Sequence, residues 1–138
     1  MTKLVRLVFF LVTVISQTDC HPHRTSKVII SDNDAKRLVF AALDEEARRL
    51  PGLTLSPQKD TRRPRCLTFD VLWDNPGIGS AHVDFYRVDL RTAVLWNPVL
   101  CNTSPSRDTA RLQDEFRKQN GVSMEEVRDS IAKTACCP

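Results

Sequence analysis

Between residues 66 and 101 three strand-like segments follow one another, joined by turns, and that succession sets the fold class. Leu67, Phe69, Val71 and Trp73 alternate with Cys66, Thr68, Asp70 and Leu72, the period-two pattern of a half-buried strand. Asp74-Asn75-Pro76-Gly77-Ile78-Gly79-Ser80 is rich in turn formers. Residues 81–90 make a second strand whose apolar register changes where Phe85 meets Tyr86, so a bulge near 85–86, or burial of both faces, is expected. A tight turn at Arg91-Thr92 leads into a third strand over 93–101, with Pro98 favouring an edge. Leu53-Thr54-Leu55 adds a short edge strand ahead of a polar loop over 57–65.

Helices flank the strands. Ala35, Leu38, Val39, Ala42, Leu43, Ala47 and Leu50 recur at steps of three and four, giving one helix from a Ser31 or Asp32 cap to Pro51-Gly52. After the strands, Ser104-Pro105 offers an N-cap and a first-turn proline, Leu112 and Phe116 an apolar pair, and Asn120-Gly121 a stop. Ser123-Met124-Glu125-Glu126 matches a capping box, followed by an apolar stripe of Met124, Val127, Ile131 and Ala135. Helix, strands, helices in that order predicts an α+β fold: an N-terminal helix, a three- to four-stranded antiparallel meander and two C-terminal helices packed on one face.

The N-terminus concerns location. Lys3 and Arg6 flank an apolar run from Leu7 to Ile15, and polar residues follow at Ser16 to Asp19, the layout of a secretory signal peptide. The run is shorter than the roughly 20 residues that span a bilayer. Residues 1–20 are therefore expected to be a leader, with a cut after Ser16 or Cys20 and lipidation at Cys20 as a third outcome. Residues 21–30 then form a flexible tail, and 31–138 a single domain that is periplasmic or extracellular. His21-Pro22-His23 reads as part of that tail, because Pro22 lacks the amide a copper clip needs. Without residues 1–20 the chain keeps 18 basic and 16 acidic side chains, with no dense basic footprint for nucleic acid. Arg62, Arg63 and Arg65 read as a solvated loop. Asn102-Thr103-Ser104 is a glycosylation sequon, relevant only in a eukaryotic host.

Five cysteines in an exported chain imply disulfides, and the absence of C-x-x-C and finger spacing argues against zinc. In a simple meander Cys66 lies near Val88 and Leu95, and Cys101 is about 20 Å further along at about 3.3 Å per residue. A direct Cys66–Cys101 bond is then excluded, because the Cα atoms must approach within about 7 Å. Cys136 or Cys137 is expected to pair with Cys66 or Cys101, the other pairing with Cys20 or staying free.

No nucleophile elbow, zinc helix or phosphate loop occurs, and no cofactor is implied. The most enzyme-like set is Asp70, His82 and Asp84, with His82 and Asp84 two apart and so expected on one strand face. The plainer expectation is that these are the solvated face of a sheet. Trp73 and Trp96 are candidate anchors for a partner, alongside Asn75, Pro76 and Gly77 of the 74–80 loop, although the commoner role of such tryptophans is core or sheet-face packing.

From Asp70 to Cys101 the chain resembles small exported bacterial proteins of cystatin- or NTF2-like shape. The matching pieces are Trp73-Asp74-Asn75-Pro76-Gly77, Ser80-Ala81-His82-Val83-Asp84 and the run from Tyr86 to Trp96. In such proteins the last piece is a strand, an R-T-G-D turn and a V-W strand. Here Ala93 and Val94 stand in place of Gly and Asp, which leaves the turn type open. A related two-stranded signature occurs in PepSY-like domains, associated with binding or inhibiting peptidases. The resemblance covers about a third of the chain and carries no catalytic motif.

Two functional expectations follow. The first is an exported, non-enzymatic protein-binding module, an inhibitor or immunity-type protein acting on a secreted or periplasmic enzyme. The alternative is a small hydrolase-like enzyme or ligand carrier whose helix–sheet pocket uses Asp70, His82 and Asp84. The two differ in whether those three side chains converge on a concave site.

Overall fold

The computed structural model describes residues 30–103 and 105–134. The expected leader, the histidines at 21 and 23, Cys20, Cys136 and Cys137 lie outside the described residues. The fold is α+β, with helices around a four-stranded antiparallel sheet of order β1-β2-β3-β4.

Ile30, placed in the expected tail, is only 2% exposed and donates its N–H to Leu90 O at 3.2 Å, so it belongs to the domain. Ser31 caps α1 (Asp32–Ala42) in a capping box with Asp34. The single helix expected to reach Pro51 is broken, because Leu43 is extended and the Asp44 carboxylate caps Ala47 N at 2.7 Å. An aspartate that bonds the backbone ahead of it starts a new turn in preference to continuing the old one. The result is the short α2 (Glu45–Arg48).

Gly52 then turns the chain into β1 (Leu53–Lys59), which runs four residues past the expected Leu55 and carries Pro57 on the sheet edge. A Cβ at position 52 would sit 2.7 Å from Asp74 O at a φ of +78°. Gly52→Ala is therefore expected to destabilise by about 1–3 kcal/mol, measured by thermal unfolding.

β2 (Cys66–Asn75) and β3 (Gly79–Asp89) form the central hairpin. Cys66 faces Asp89, one residue from the expected Val88, while Leu67, Val88 and Leu95 align across three strands. The bulge lies at Val83 and not at 85–86, since Val71 pairs with Asp84 and Leu72 with His82.

The third expected strand, 93–101, shortens to β4 (Leu95–Trp96). Asn97 ends it: its Oδ1 accepts from Val99 N at 2.9 Å and Leu100 N at 3.0 Å, which winds the chain off the sheet. Ala93, where a glycine was expected, has a φ of +56°, and its carbonyl accepts from Gln113 Nε2 at 2.8 Å.

Ser106 caps α3 (Arg107–Gln119), and its hydroxyl also donates to Ala41 O at 2.8 Å; Ser104, the expected cap, lies outside the described residues. The main core holds Leu38, Val39, Leu67, Phe69, Val71, Val88 and Phe116, between α1, α3 and the sheet. The capping box at Ser123 starts α4 (Met124–Thr134) as expected.

Its packing face differs from the apolar stripe. Val127 and Ser130 are buried, whereas Met124 and Ile131 are 59% and 40% exposed. Val127 packs with Cys66, Val94 and Trp96 in a second cluster. Cys66 and Trp96 alternate with Leu67 and Leu95 of the main core, so the two clusters lie on opposite sides of the sheet. The C-terminal helices thus divide between the two sides, α3 joining the main core and α4 the second.

Hydrogen bonds from Ser123 N, then from Arg91, hold the Glu126 carboxyl below its ordinary value. A lowered folded pKa means this stabilisation is present above the ordinary value of 4.5 and is lost as pH falls through the folded one. Urea midpoints measured from neutral pH into acid are expected to fall less steeply for Glu126→Gln than for the unmodified protein.

Candidate protein-binding surface

The bulge at Val83 decides what the enzyme-like set can do. One extra residue reverses the alternation, so His82 and Asp84 point to opposite sides of the sheet although they are two apart. Asp70 and His82 share the side away from the main core, with His82 Nε2 3.4 Å from Asp70 Oδ1 and the His82 side chain 51% exposed. Asp70 is also bonded by Gln58 Nε2. The same reversal puts His82 beside Phe85, ring centroids 6.3 Å apart.

Asp84 is engaged elsewhere. Its Oδ1 accepts from Asn97 Nδ2 at 2.6 Å and from Phe85 N at 2.7 Å. Burial, reinforced by its hydrogen bond to Asp84, pushes the Tyr86 hydroxyl well above the usual tyrosine range. The expectation that Asp70, His82 and Asp84 line one pocket is therefore corrected: a solvent-facing pair stands on one side and a structural carboxylate on the other. Among the described residues no three of His, Cys, Asp and Glu are grouped to hold a metal.

The proposed anchors separate as sharply. Trp96 is 3% exposed, packed in the second cluster with the Arg87 guanidinium 5.8 Å from its ring centre, so it offers a partner no surface. Trp73 is half-buried, and among the described residues its buried Nε1 has no acceptor. The 74–80 hairpin tip is built to project. Asn75 Oδ1 accepts from Gly77 N at 3.0 Å, and Ser80 Oγ bonds Asp74 across the turn. Pro76 and Gly77 are exposed, and Ile78, missed as a candidate, is 81% exposed at the tip. An isoleucine inside a run of turn residues was the available signal.

Among the described residues Cys66 and Cys101 are not joined to each other. The spacing expected along one strand does not apply, because β4 ends at Trp96 and Cys101 lies beyond the Asn97 turn. Burial, with the Asp89 carboxylate beside it, pushes the Cys66 thiol up to about 11, which keeps it protonated and weakly nucleophilic near neutral pH. The pairing expected for Cys136 and Cys137 lies outside the described residues.

The polar centre that sequence reasoning missed is Asp89, 1% exposed. Its Oδ2 accepts from Arg65 at 2.7 Å and Ser130 Oγ at 2.6 Å, and its Oδ1 from Arg91 N at 2.8 Å and Thr92 N at 3.3 Å. It caps the β3–β4 turn and ties α4 to the sheet, which is structural work.

No protein-family model matches the chain, and comparison with curated proteins gives no match. Among solved structures, the chain is similar to one chain of the "Structure of a type VI secretion system effector-immunity complex from Pseudomonas protegens". The identity is 19%, the TM-score 0.63, and the alignment covers 79% of this chain and 91% of that one. At that identity the likeness is one of fold. Among the described residues no helix is long and apolar enough to cross a membrane.

Proposed function

We propose that this protein is an exported, non-enzymatic binding module of the immunity type, which caps a secreted or periplasmic enzyme. The observation that carries the reading is its fold, shared over most of its length with a chain of an effector–immunity complex. The leader expected at residues 1–20 favours the immunity side of such a pair. An injected effector crosses envelopes by its delivery machinery, whereas a protein guarding the periplasm needs its own route there. The separation of Asp84 from Asp70 and His82 supports binding over catalysis. The PepSY-like resemblance, with its association to peptidase inhibition, points the same way.

The contact surface is the 74–80 hairpin with the adjoining sheet face, where Ile78, Pro76 and Gly77 are exposed around half-buried Trp73 and Asn75. The test is capture from periplasmic and secreted fractions, with the retained protein identified and assayed. The reading predicts an enzyme whose activity is abolished at an equimolar ratio. Repeated captures that retain no enzyme, or retain one that stays active, overturn it.

A further inference from the structure

The α1–α3 side of the molecule carries a groove of ≈ 480 Å³ that the hairpin surface does not use. Its floor is apolar, made by Phe40, Ala41, Leu55 and Leu112, and Phe40 is 44% exposed. Four cations stand around it, Lys36, Arg37, Arg48 and Arg111, against one carboxylate, Asp108. Arg37 is paired with Asp34 at 3.3 Å and lies 5.8 Å from the Phe116 ring centre, which leaves it fixed at the rim. Among the described residues Lys36, Arg48 and Arg111 form no ion pair.

We infer that this groove is a second docking surface, for an acidic segment of a protein partner that inserts an apolar side chain between flanking carboxylates. The inference rests on the binding-module reading and adds the chemistry of the segment. Charge complementarity selects the occupant. A concave apolar floor desolvates an inserted side chain, and a rim with an excess of positive charge focuses the field on carboxylates beside it. Lys36 and Arg37 follow each other on α1 and Arg111 faces them from α3, so carboxylates on both sides of the anchor find a cation. Nucleic acid or an anionic membrane would use the rim and leave the floor empty.

The test is titration of the full-length protein with four probes followed by fluorescence anisotropy or vesicle sedimentation. These are a labelled peptide with glutamates flanking leucine and phenylalanine, the same peptide with lysines for glutamates, a 20-nucleotide single-stranded DNA, and phosphatidylglycerol vesicles. The acidic apolar peptide is expected to bind most tightly and to weaken as salt rises. Lys36→Glu combined with Arg111→Glu should weaken it at least about tenfold and improve the lysine peptide. Phe40→Ser should weaken it while leaving the salt dependence in place. Unchanged urea midpoints establish that the variants fold. Equal binding of the two peptides, tighter binding of DNA or vesicles, or indifference to the reversals overturns the proposal. A captured enzyme inhibited equally well by the charge-reversed protein ends the groove proposal and leaves the binding-module reading intact.

Discussion

Asp89→Ala is expected to lower the unfolding free energy by about 3–5 kcal/mol, a large part of the roughly 5–15 kcal/mol available to a domain of this size. The carboxylate is buried and accepts four hydrogen bonds, from Arg65, Ser130 and the backbone N–H groups of Arg91 and Thr92. Alanine leaves all four donors without their acceptor, and an unsatisfied buried donor costs about 1–3 kcal/mol. Arg65 is 40% exposed, so water compensates part of its loss. Ser130 and Thr92 are buried, so water compensates them less, and the Thr92 hydroxyl donates to Ser130 Oγ at 3.1 Å. The loss should be local first, with amide exchange accelerating in α4 and the 89–94 turn before the main core. Asp89→Asn, which keeps an acceptor of the same shape, should cost less than alanine. A urea midpoint for Asp89→Ala within experimental error of the unmodified protein overturns this role.

Trp96→Ala is expected to cost about 3–5 kcal/mol, as truncation of a buried aromatic generally does. The ring packs with Cys66, Val94 and Val127, the cluster that attaches α4 to the sheet. The indole therefore acts through the fold, although its type is common at interfaces. Ile78→Asp supplies the contrast. Ile78 is 81% exposed, so stability should change by no more than about 0.5 kcal/mol while affinity for the captured enzyme falls. Urea unfolding and a binding titration on both variants separate the effects. A stable Trp96→Ala protein, or an Ile78→Asp protein that unfolds, reverses the assignment.

The α+β class and the strand order were legible because period-two alternation at Leu67, Phe69 and Val71 and the three- and four-residue steps of α1 and α3 leave little freedom. What was not legible came from side chains that redirect the backbone. Asp44 caps a new helix and breaks a continuous apolar stripe. Asn97 bonds the two amides beyond Pro98 and cuts the last strand to two residues. Neither competes visibly with the hydrophobic pattern until the partners are in place.

The site depended on a single inserted residue. With the bulge at Val83, a set that spacing placed on one face divided between two, because a one-residue shift exchanges the faces of a strand. Asp89 escaped notice because an acidic residue at a strand end reads as solvated. Its partners, Arg65 and Ser130, lie 24 and 41 residues away in sequence. The choice between anchor and packing at Trp96 was open for a related reason: periodicity says which residues are apolar but not which side of the sheet a distant helix will cover.

The central claim, an exported inhibitor of an exported enzyme, is tested most directly in growing cells. The enzyme captured on this protein is directed to the periplasm together with either the full chain or a chain beginning at His21. The account predicts that the full chain restores growth and that the shortened chain, lacking the expected leader, does not. Growth arrest in both cultures, or equal rescue by the two chains, contradicts it.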